Sequence, residues 1–129
     1  MDIVSYLLGK NSSKGGNTGV EIESGSNEYG NYMKYSTGDL IQWGILIVEA
    51  NHAYVDVNLP VAFKDTDYLI MANSLTAGAS YGGSSAIQTF VSPQKDTASL
   101  AYIYSYPSSG STALSFDRKV CWIAIGKWK

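Results

Sequence analysis

The chain has 129 residues, of which 45% are hydrophobic and only 16% are charged, and its net charge is −2. This length suits one domain with a modest core. No cluster of Lys and Arg is available to neutralise phosphates, which argues against nucleic-acid binding, and no apolar run approaches the roughly 18 to 20 residues that would insert into a membrane.

The N-terminal segment 1–19 is predicted to be an attachment peptide followed by a flexible linker. Asp2 can cap one or two helical turns that end at Gly9, and Lys10–Gly19 is rich in Gly, Ser and Asn, a composition that does not support a core. We therefore expect a short arm, helical or disordered, that residues 20–129 do not need for folding. The start also lacks the basic segment of a signal peptide, so we expect synthesis in a cytoplasm. The apolar side of the helical turns comprises Ile3, Val4, Leu7 and Leu8.

From Val20 onward, short runs rich in Val, Ile, Tyr and Trp alternate with Gly, Ser, Asn, Asp and Pro, which is typical of all-β domains. The strongest predicted strand is Asp39–Val48. Ile41, Trp43, Ile45 and Ile47 lie on one of its faces and Leu40, Gly44, Leu46 and Val48 on the other. Apolar residues on both sides predict a strand with both faces covered, either central in a sheet or between subunits.

Five further strands are predicted after this one. In Tyr54–Leu59, alternation turns Val55, Val57 and Leu59 inward. Six or so strands predict an antiparallel β-sandwich. The remaining four predicted strands are Tyr68–Asn73, Ala86–Val91, Leu100–Tyr106 and Val120–Trp128.

Three sequence blocks follow one another towards the C-terminus. The first is Tyr35–Gly44, which contains Ile-Gln-Trp-Gly. The second is Val57–Phe63 (Val-Asn-Leu-Pro-Val-Ala-Phe) followed by Tyr68–Ala72, and the third is Trp122–Gly126 (Trp-Ile-Ala-Ile-Gly). In this order and spacing they resemble the C-terminal domain at the tips of phage and prophage tail-fibre proteins.

The resemblance implies a β-sandwich knob on a virion, usually a homotrimer, that binds a host-surface glycan or protein. The segment 1–19 would then attach it to other virion proteins, and neither nucleic acid nor membrane insertion is expected. The alternative is a structural or decoration protein of the virion that trimerises without binding a host molecule. Whether it would be a tail fibre, a head fibre or an accessory protein is left open.

No catalytic or metal-binding constellation is expected, and therefore no enzyme, metal or cofactor. His52 lies in a predicted turn far along the chain from Cys121, which we expect to be a small buried hydrophobe. The carboxylate pairs in Glu21-Ile22-Glu23 and Asp65-Thr66-Asp67 could in principle act as acid and base. A solvated surface and a polar turn explain them better, which leaves a depolymerase as the weakest hypothesis.

The tyrosines of the predicted strand Leu100–Tyr106 have two interpretations. Tyr102, Tyr104 and Tyr106 recur at every second residue and so share one face. That face either stacks on sugar rings or packs in an inter-sheet or inter-subunit core, and we favour the core for all but Tyr106. Trp43 and Trp122 are both expected in the core.

A ligand site is predicted at the end of the sandwich that carries the loops Leu75–Ser85 and Pro107–Ala113. Binding residues concentrate in loops on a rigid scaffold. With 10 tyrosines and few charges, the polar surface must consist largely of Tyr, Ser, Thr, Asn and Gly, which suits neutral glycans as well as oligomer interfaces. The predicted ligand-binding residues are Tyr81, Tyr106, Ser108 and Ser109.

Overall fold

The computed structural model describes residues 19–75, 89–107 and 114–129. In these residues the chain forms two antiparallel sheets. One sheet has the order β1-β2-β3-β8-β5 and the other the order β4-β7-β6. The predicted antiparallel all-β fold class is thus confirmed. The described strands are β1 (Glu21–Asn27), β2 (Gly30–Tyr35), β3 (Asp39–Val48), β4 (Tyr54–Asn58), β5 (Leu69–Ser74), β6 (Thr89–Lys95), β7 (Leu100–Pro107) and β8 (Arg118–Lys127).

The core lies between the two sheets and is filled by every second residue of their central strands. Burying one Val, Leu or Ile side chain contributes roughly 1.5–3 kcal/mol. The predicted inward orientation of Val57 and Leu59 is confirmed, since both are buried, and Val55 packs against the same cluster. The core cluster comprises Leu40 and Val48 of β3, Val57 of β4, Ala101 and Ile103 of β7, Val120, Trp122 and Ala124 of β8, and Leu59, Phe63 and Tyr68.

A buried amide fixes the chain between β4 and β5. The Gln42 side chain accepts a hydrogen bond from Val61 N at 2.7 Å and donates one to Val61 O at 2.8 Å. Further along, the Phe63 and Tyr68 rings stack with their centroids 4.4 Å apart. They lie against Gly126, where a Cβ would come within 2.7 Å of the Tyr68 Cβ. The second and third sequence blocks are therefore packed against each other.

Several predicted boundaries differ from the structure. β1 and β2 lie before the predicted set. β3 confirms Asp39–Val48 as a strand and is central in its sheet, but the prediction that both of its faces are covered is wrong for the single chain, since Ile45 and Ile47 are exposed. β6 begins at Thr89 and continues through Pro93 to Lys95, beyond the predicted end at Val91. A proline fits there because β6 is an edge strand, whose outer side needs no ladder donor. Residues 1–18 of the predicted arm 1–19 and residues 86–88 of the predicted strand Ala86–Val91 lie outside the described residues.

Candidate functional site

The outer surface of the five-stranded sheet carries an apolar patch over β3, β8 and β5. In the strand register Trp43 lies opposite Ile123 and Ile123 opposite Met71, so the three form one row across β3, β8 and β5. The most exposed members are Leu69 at 70%, Ile45 at 60% and Met71 at 50%. Large contiguous apolar surfaces of this kind mark interaction sites. The apolar face is defined here as Trp43, Ile45, Ile47, Leu69 and Met71, all of which are exposed.

Two predictions about this surface are wrong. Trp43 was expected in the core, but it is 37% exposed and lies on the same side of β3 as the exposed Ile45 and Ile47, whereas Ile41 on that side is buried. Cys121 was expected to be buried, but it lies opposite Ile45 on the same side of the sheet and is only half-buried. Its Sγ donates a weak hydrogen bond to Asn73 O at 3.7 Å. Trp122, one residue further, has the opposite parity and is buried as predicted.

The outer surface of the three-stranded sheet carries tyrosines instead. Tyr54 packs against the Tyr102 ring edge-to-face, with centroids 5.7 Å apart and ring planes at 89°. It also contacts Tyr104, with centroids 5.2 Å apart. The Tyr102 hydroxyl donates to Asp96 Oδ2 at 3.2 Å. We call the surface formed by Tyr54, Asp56, Tyr102 and Tyr104 the tyrosine face.

The inter-sheet position that we favoured for these tyrosines is wrong. Ala101, Ile103 and Ser105 are the β7 residues that point into the core, and they are all buried. The tyrosines have the opposite parity and are half-buried on the outside. Loss of hydration and then the nearby negative charge of Asp96 raise the pKa of Tyr102 above its ordinary value of 10.0. The hydroxyl therefore stays protonated and able to donate.

A groove runs alongside the tyrosine face. It has a volume of about 380 Å³ and lies where β3 ends and β4 passes. Tyr54 and Asp56 belong both to the groove and to the tyrosine face, so the two form one continuous surface. The groove is lined by Ile47, Glu49, His52, Tyr54, Val55 and Asp56.

A buried arginine holds the turn at one end of this groove. Arg118 is 1% exposed, and its guanidinium donates to His52 O at 2.6 Å, to Ser105 O at 2.9 Å and to Glu49 O at 3.2 Å. Charged donors with several carbonyl acceptors make strong hydrogen bonds. Arg118 was not among the predicted site residues, although it shares inward parity with Val120 and Trp122, and that parity was the available signal.

The structure describes one of the four predicted ligand-binding residues. Tyr106 lies near the end of β7, half-buried, on the same side of the strand as Tyr102 and Tyr104. Tyr81, Ser108 and Ser109 lie outside the described residues. Tyr54 and Asp56 of the neighbouring strand β4 lie on the same outer side of the three-stranded sheet as Tyr106. The prediction did not include them.

The carboxylate pairs have other partners. Glu23 lies 3.2 Å from Lys34 Nζ, and its pKa is lowered first by a hydrogen bond from Tyr32 and then by Lys34. A general acid needs the opposite shift. Asp65 Oδ1 accepts a hydrogen bond from Asp67 N at 2.8 Å, which is turn chemistry.

Neither a metal-ligand cluster nor a membrane-spanning helix occurs in the part of the chain that the structure describes. Over residues 19–75, 89–107 and 114–129, no group of three or more His, Cys, Asp or Glu side chains is placed to hold a metal ion. The same part of the chain contains no helix long and apolar enough to cross a membrane.

The fold and its two contrasting outer surfaces define a small antiparallel β-sandwich module. Residues 34–127 match the profile of a family described as "tail fiber protein gp53-like, C-terminal". The chain belongs to this family, which confirms the tail-fibre resemblance and makes the chain a phage-type tail-fibre protein. A search of curated proteins gave no match.

Solved tail fibres share the fold. An N-truncated R2-type pyocin tail fibre matches with 18% identity and a TM-score of 0.58 over 84% of this chain and 39% of its own. The R2 pyocin fibre of P. aeruginosa gives the same identity and TM-score over 82% of this chain and 26% of its own. An N-truncated R1-type pyocin tail fibre matches with 19% identity and a TM-score of 0.54 over 95% of this chain and 93% of its own. This chain thus spans well under half of the first two.

Proposed function

We propose that the protein is the receptor-binding tip of a phage-type tail fibre. In this proposal it self-associates as a homotrimer through the apolar face and binds a host-surface glycan or protein elsewhere. The N-terminal arm attaches it to other virion proteins, and it has no enzymatic activity. The observation that carries the proposal is the tail-fibre family match over residues 34–127.

The apolar face supports the self-association. Stable interfaces bury roughly 800 Å² on each partner, and their centres are apolar. In the single chain, Trp43, Ile45 and Ile47 of the central strand β3 are all exposed to water. Contact with other copies of the chain would remove this surface from solvent without any rearrangement of the core. The alternative, a virion decoration protein, uses the same face but needs no ligand site.

The loop-bearing end supports the receptor site. Arg118 holds the turn at Glu49 and His52 against the end of β7, so the described part of this end is a rigid scaffold of the kind that carries binding loops. Tyr106 lies at the same end of β7, next to the segment 107–113 that the sequence predicts to be a loop. A tyrosine offers a sugar both a flat apolar ring and a hydroxyl.

The experiment compares adsorption of the intact protein and of the double variant Tyr81→Ala/Tyr106→Ala to host cells. We expect the double variant to keep its oligomeric mass and melting temperature and to lose adsorption. Adsorption unchanged in a folded double variant would move the site away from the loops. A wild-type protein that is oligomeric but adsorbs to no host cell would instead support the decoration protein.

A further inference from the structure

Aromatic rings and carboxylates meet on the tyrosine face and in the groove beside it. We propose that this surface, centred on Tyr54, is a binding site for uncharged saccharides. This proposal rests on the proposed function, host-surface binding. It adds a second binding site to that function and states that the ligand is uncharged. The tyrosine face lies on the opposite sheet from the apolar face, so self-association leaves Tyr54, Tyr102 and Tyr104 open to solvent. Ile47 belongs both to the groove and to the apolar face.

The rings form a fixed platform. Tyr54 is 47% exposed, yet its ring is held from two sides by the contacts with Tyr102 and Tyr104. A ring already fixed before binding loses little conformational entropy when a ligand stacks on it. The apolar faces of pyranose rings are flat and fit such a surface. Tyr54 is therefore the residue on which stacking would depend.

The polar groups around the platform suit hydroxyl-rich ligands. Among residues 19–75, 89–107 and 114–129, none donates a hydrogen bond to the Asp56 carboxylate, so it is available to sugar hydroxyls. His52 Nδ1 lies 3.1 Å from the Ala50 carbonyl, which can only accept, so in the neutral ring Nε2 is an acceptor. The Tyr102 hydroxyl donates to Asp96 and keeps lone pairs for a ligand donor.

The groove gives the site depth. Its volume of about 380 Å³ falls within the range of small-molecule pockets, roughly 300–1,000 Å³. Ile47 and Val55 supply apolar wall, whereas Glu49, His52 and Asp56 supply polar edges. Half of the six lining residues are polar or charged, a share that suits a hydroxyl-rich ligand.

The charges decide which saccharides fit. Glu49 and Asp56 line the groove, and none of its six lining residues is Lys or Arg. The guanidinium of Arg118 at one end of the groove is buried and donates to the carbonyls of Glu49 and His52, so it does not face the ligand. Asp96 adds a third carboxylate next to Tyr102. Like charges brought together cost free energy and suppress wrong partners. Polysaccharides rich in phosphate, uronate or sialate are therefore excluded, and uncharged polysaccharides are accepted.

The test uses the full chain on a printed array of bacterial surface polysaccharides that includes uncharged and acidic polymers. We expect wild-type binding only to uncharged polymers. Tyr54→Ala should lower that binding at least roughly tenfold by removing one stacking contact, whereas Tyr54→Phe, which keeps the ring, should retain most of it. Tyr29→Ala is the matched control, since Tyr29 is 44% exposed in the β1–β2 turn; it should bind like wild type.

A second variant tests the charge argument without touching a ring. Asp56→Asn should raise binding to acidic polymers relative to uncharged ones, whereas Asp67→Asn, in the exposed turn before β5, should not. Wild-type binding to acidic polymers, or full binding by a folded Tyr54→Ala variant, would overturn the site. If binding survives Tyr54→Ala but is lost in Tyr81→Ala/Tyr106→Ala, only the location is wrong and the proposed function stands. Adsorption to host cells without binding to any polysaccharide would also overturn the site but not the function.

Discussion

Replacing Arg118 with Met is expected to destabilise the fold strongly. The side chain is 1% exposed, and its short contacts run to carbonyls of three separate segments: the turn after β3, strand β7 and the segment before β8. Met has a similar length and fills much of the same space, so the variant removes the donors and the charge more than the volume. The lost interactions are therefore hydrogen bonds rather than packing.

The magnitude follows from four contacts of 3.2 Å or less, to His52 O, Phe116 O, Ser105 O and Glu49 O. Hydrogen bonds to a charged group contribute about 1.5–3 kcal/mol each, or about 6–12 kcal/mol for four. Two effects offset this loss. The variant no longer buries a guanidinium, which removes a desolvation cost of several kcal/mol. The carbonyls that lose their donor lie partly in turns and can rotate towards water. We expect a net loss of about 3–5 kcal/mol, a large share of a typical stability of roughly 5–15 kcal/mol.

The measurement is urea unfolding at one fixed protein concentration, because self-association would add a concentration-dependent contribution. Lys119→Met is the matched control: the side chain is adjacent, exposed and of opposite parity, so its free energy of unfolding should change by less than about 0.5 kcal/mol. Arg118→Lys should fall between the two, since an ammonium keeps the charge but not the planar fork. A loss below about 1 kcal/mol for Arg118→Met would show that the carbonyls are satisfied without the guanidinium.

Three further predictions concern the surface and the arm. Ile45→Asp should reduce the mass measured by light scattering towards the monomer value of 13.9 kDa, whereas Ile22→Asp, on edge strand β1, should not; an unchanged mass would exclude the apolar face as the interface. A chain starting at Val20 should fold but fail to co-purify with particles, and its failure to fold would make the arm part of the body. Titration by NMR should give Glu23 a pKa below 4.5, and this pKa should rise in Tyr32→Phe. Because the folded-state pKa is lowered, the stabilisation from the Glu23 carboxylate is complete above the unfolded pKa and is lost as the pH falls through the folded pKa.

A long apolar run and one clean alternation were enough to find two of the strands. Asp39–Val48 is apolar on both faces and Tyr54–Leu59 alternates at period two, and the structure places them as β3 and β4. β1 was missed because Glu21–Asn27 is exposed throughout and has Ile22 as its one large apolar residue, so it has no apolar period to detect. Its place in the sheet comes from pairing with β2 and from the turn between them.

Alternation alone does not say which face of a strand is covered. Leu40 and Ile45 are equally apolar, yet one is fully buried and the other is 60% exposed. The difference arises because the second sheet covers only the side of β3 that carries Leu40 and Val48. The errors at Trp43 and Cys121 have this one cause, since both lie on the uncovered side.

The same reasoning explains why the tyrosines were placed in the core. In β7 the large residues, Tyr102 and Tyr104, face outward, and the small or medium ones, Ala101 and Ile103, face inward. A prediction from side-chain size and aromaticity therefore puts the tyrosines on the wrong side of β7. What holds these rings at the surface is a residue of another strand, Tyr54, whose contacts depend on the β4–β7 register.

A sandwich whose two outer faces are apolar on one side and aromatic and acidic on the other can bury the first face against its own copies and keep the second for a ligand. This division needs both sheets in place, so no single segment of the sequence contains it.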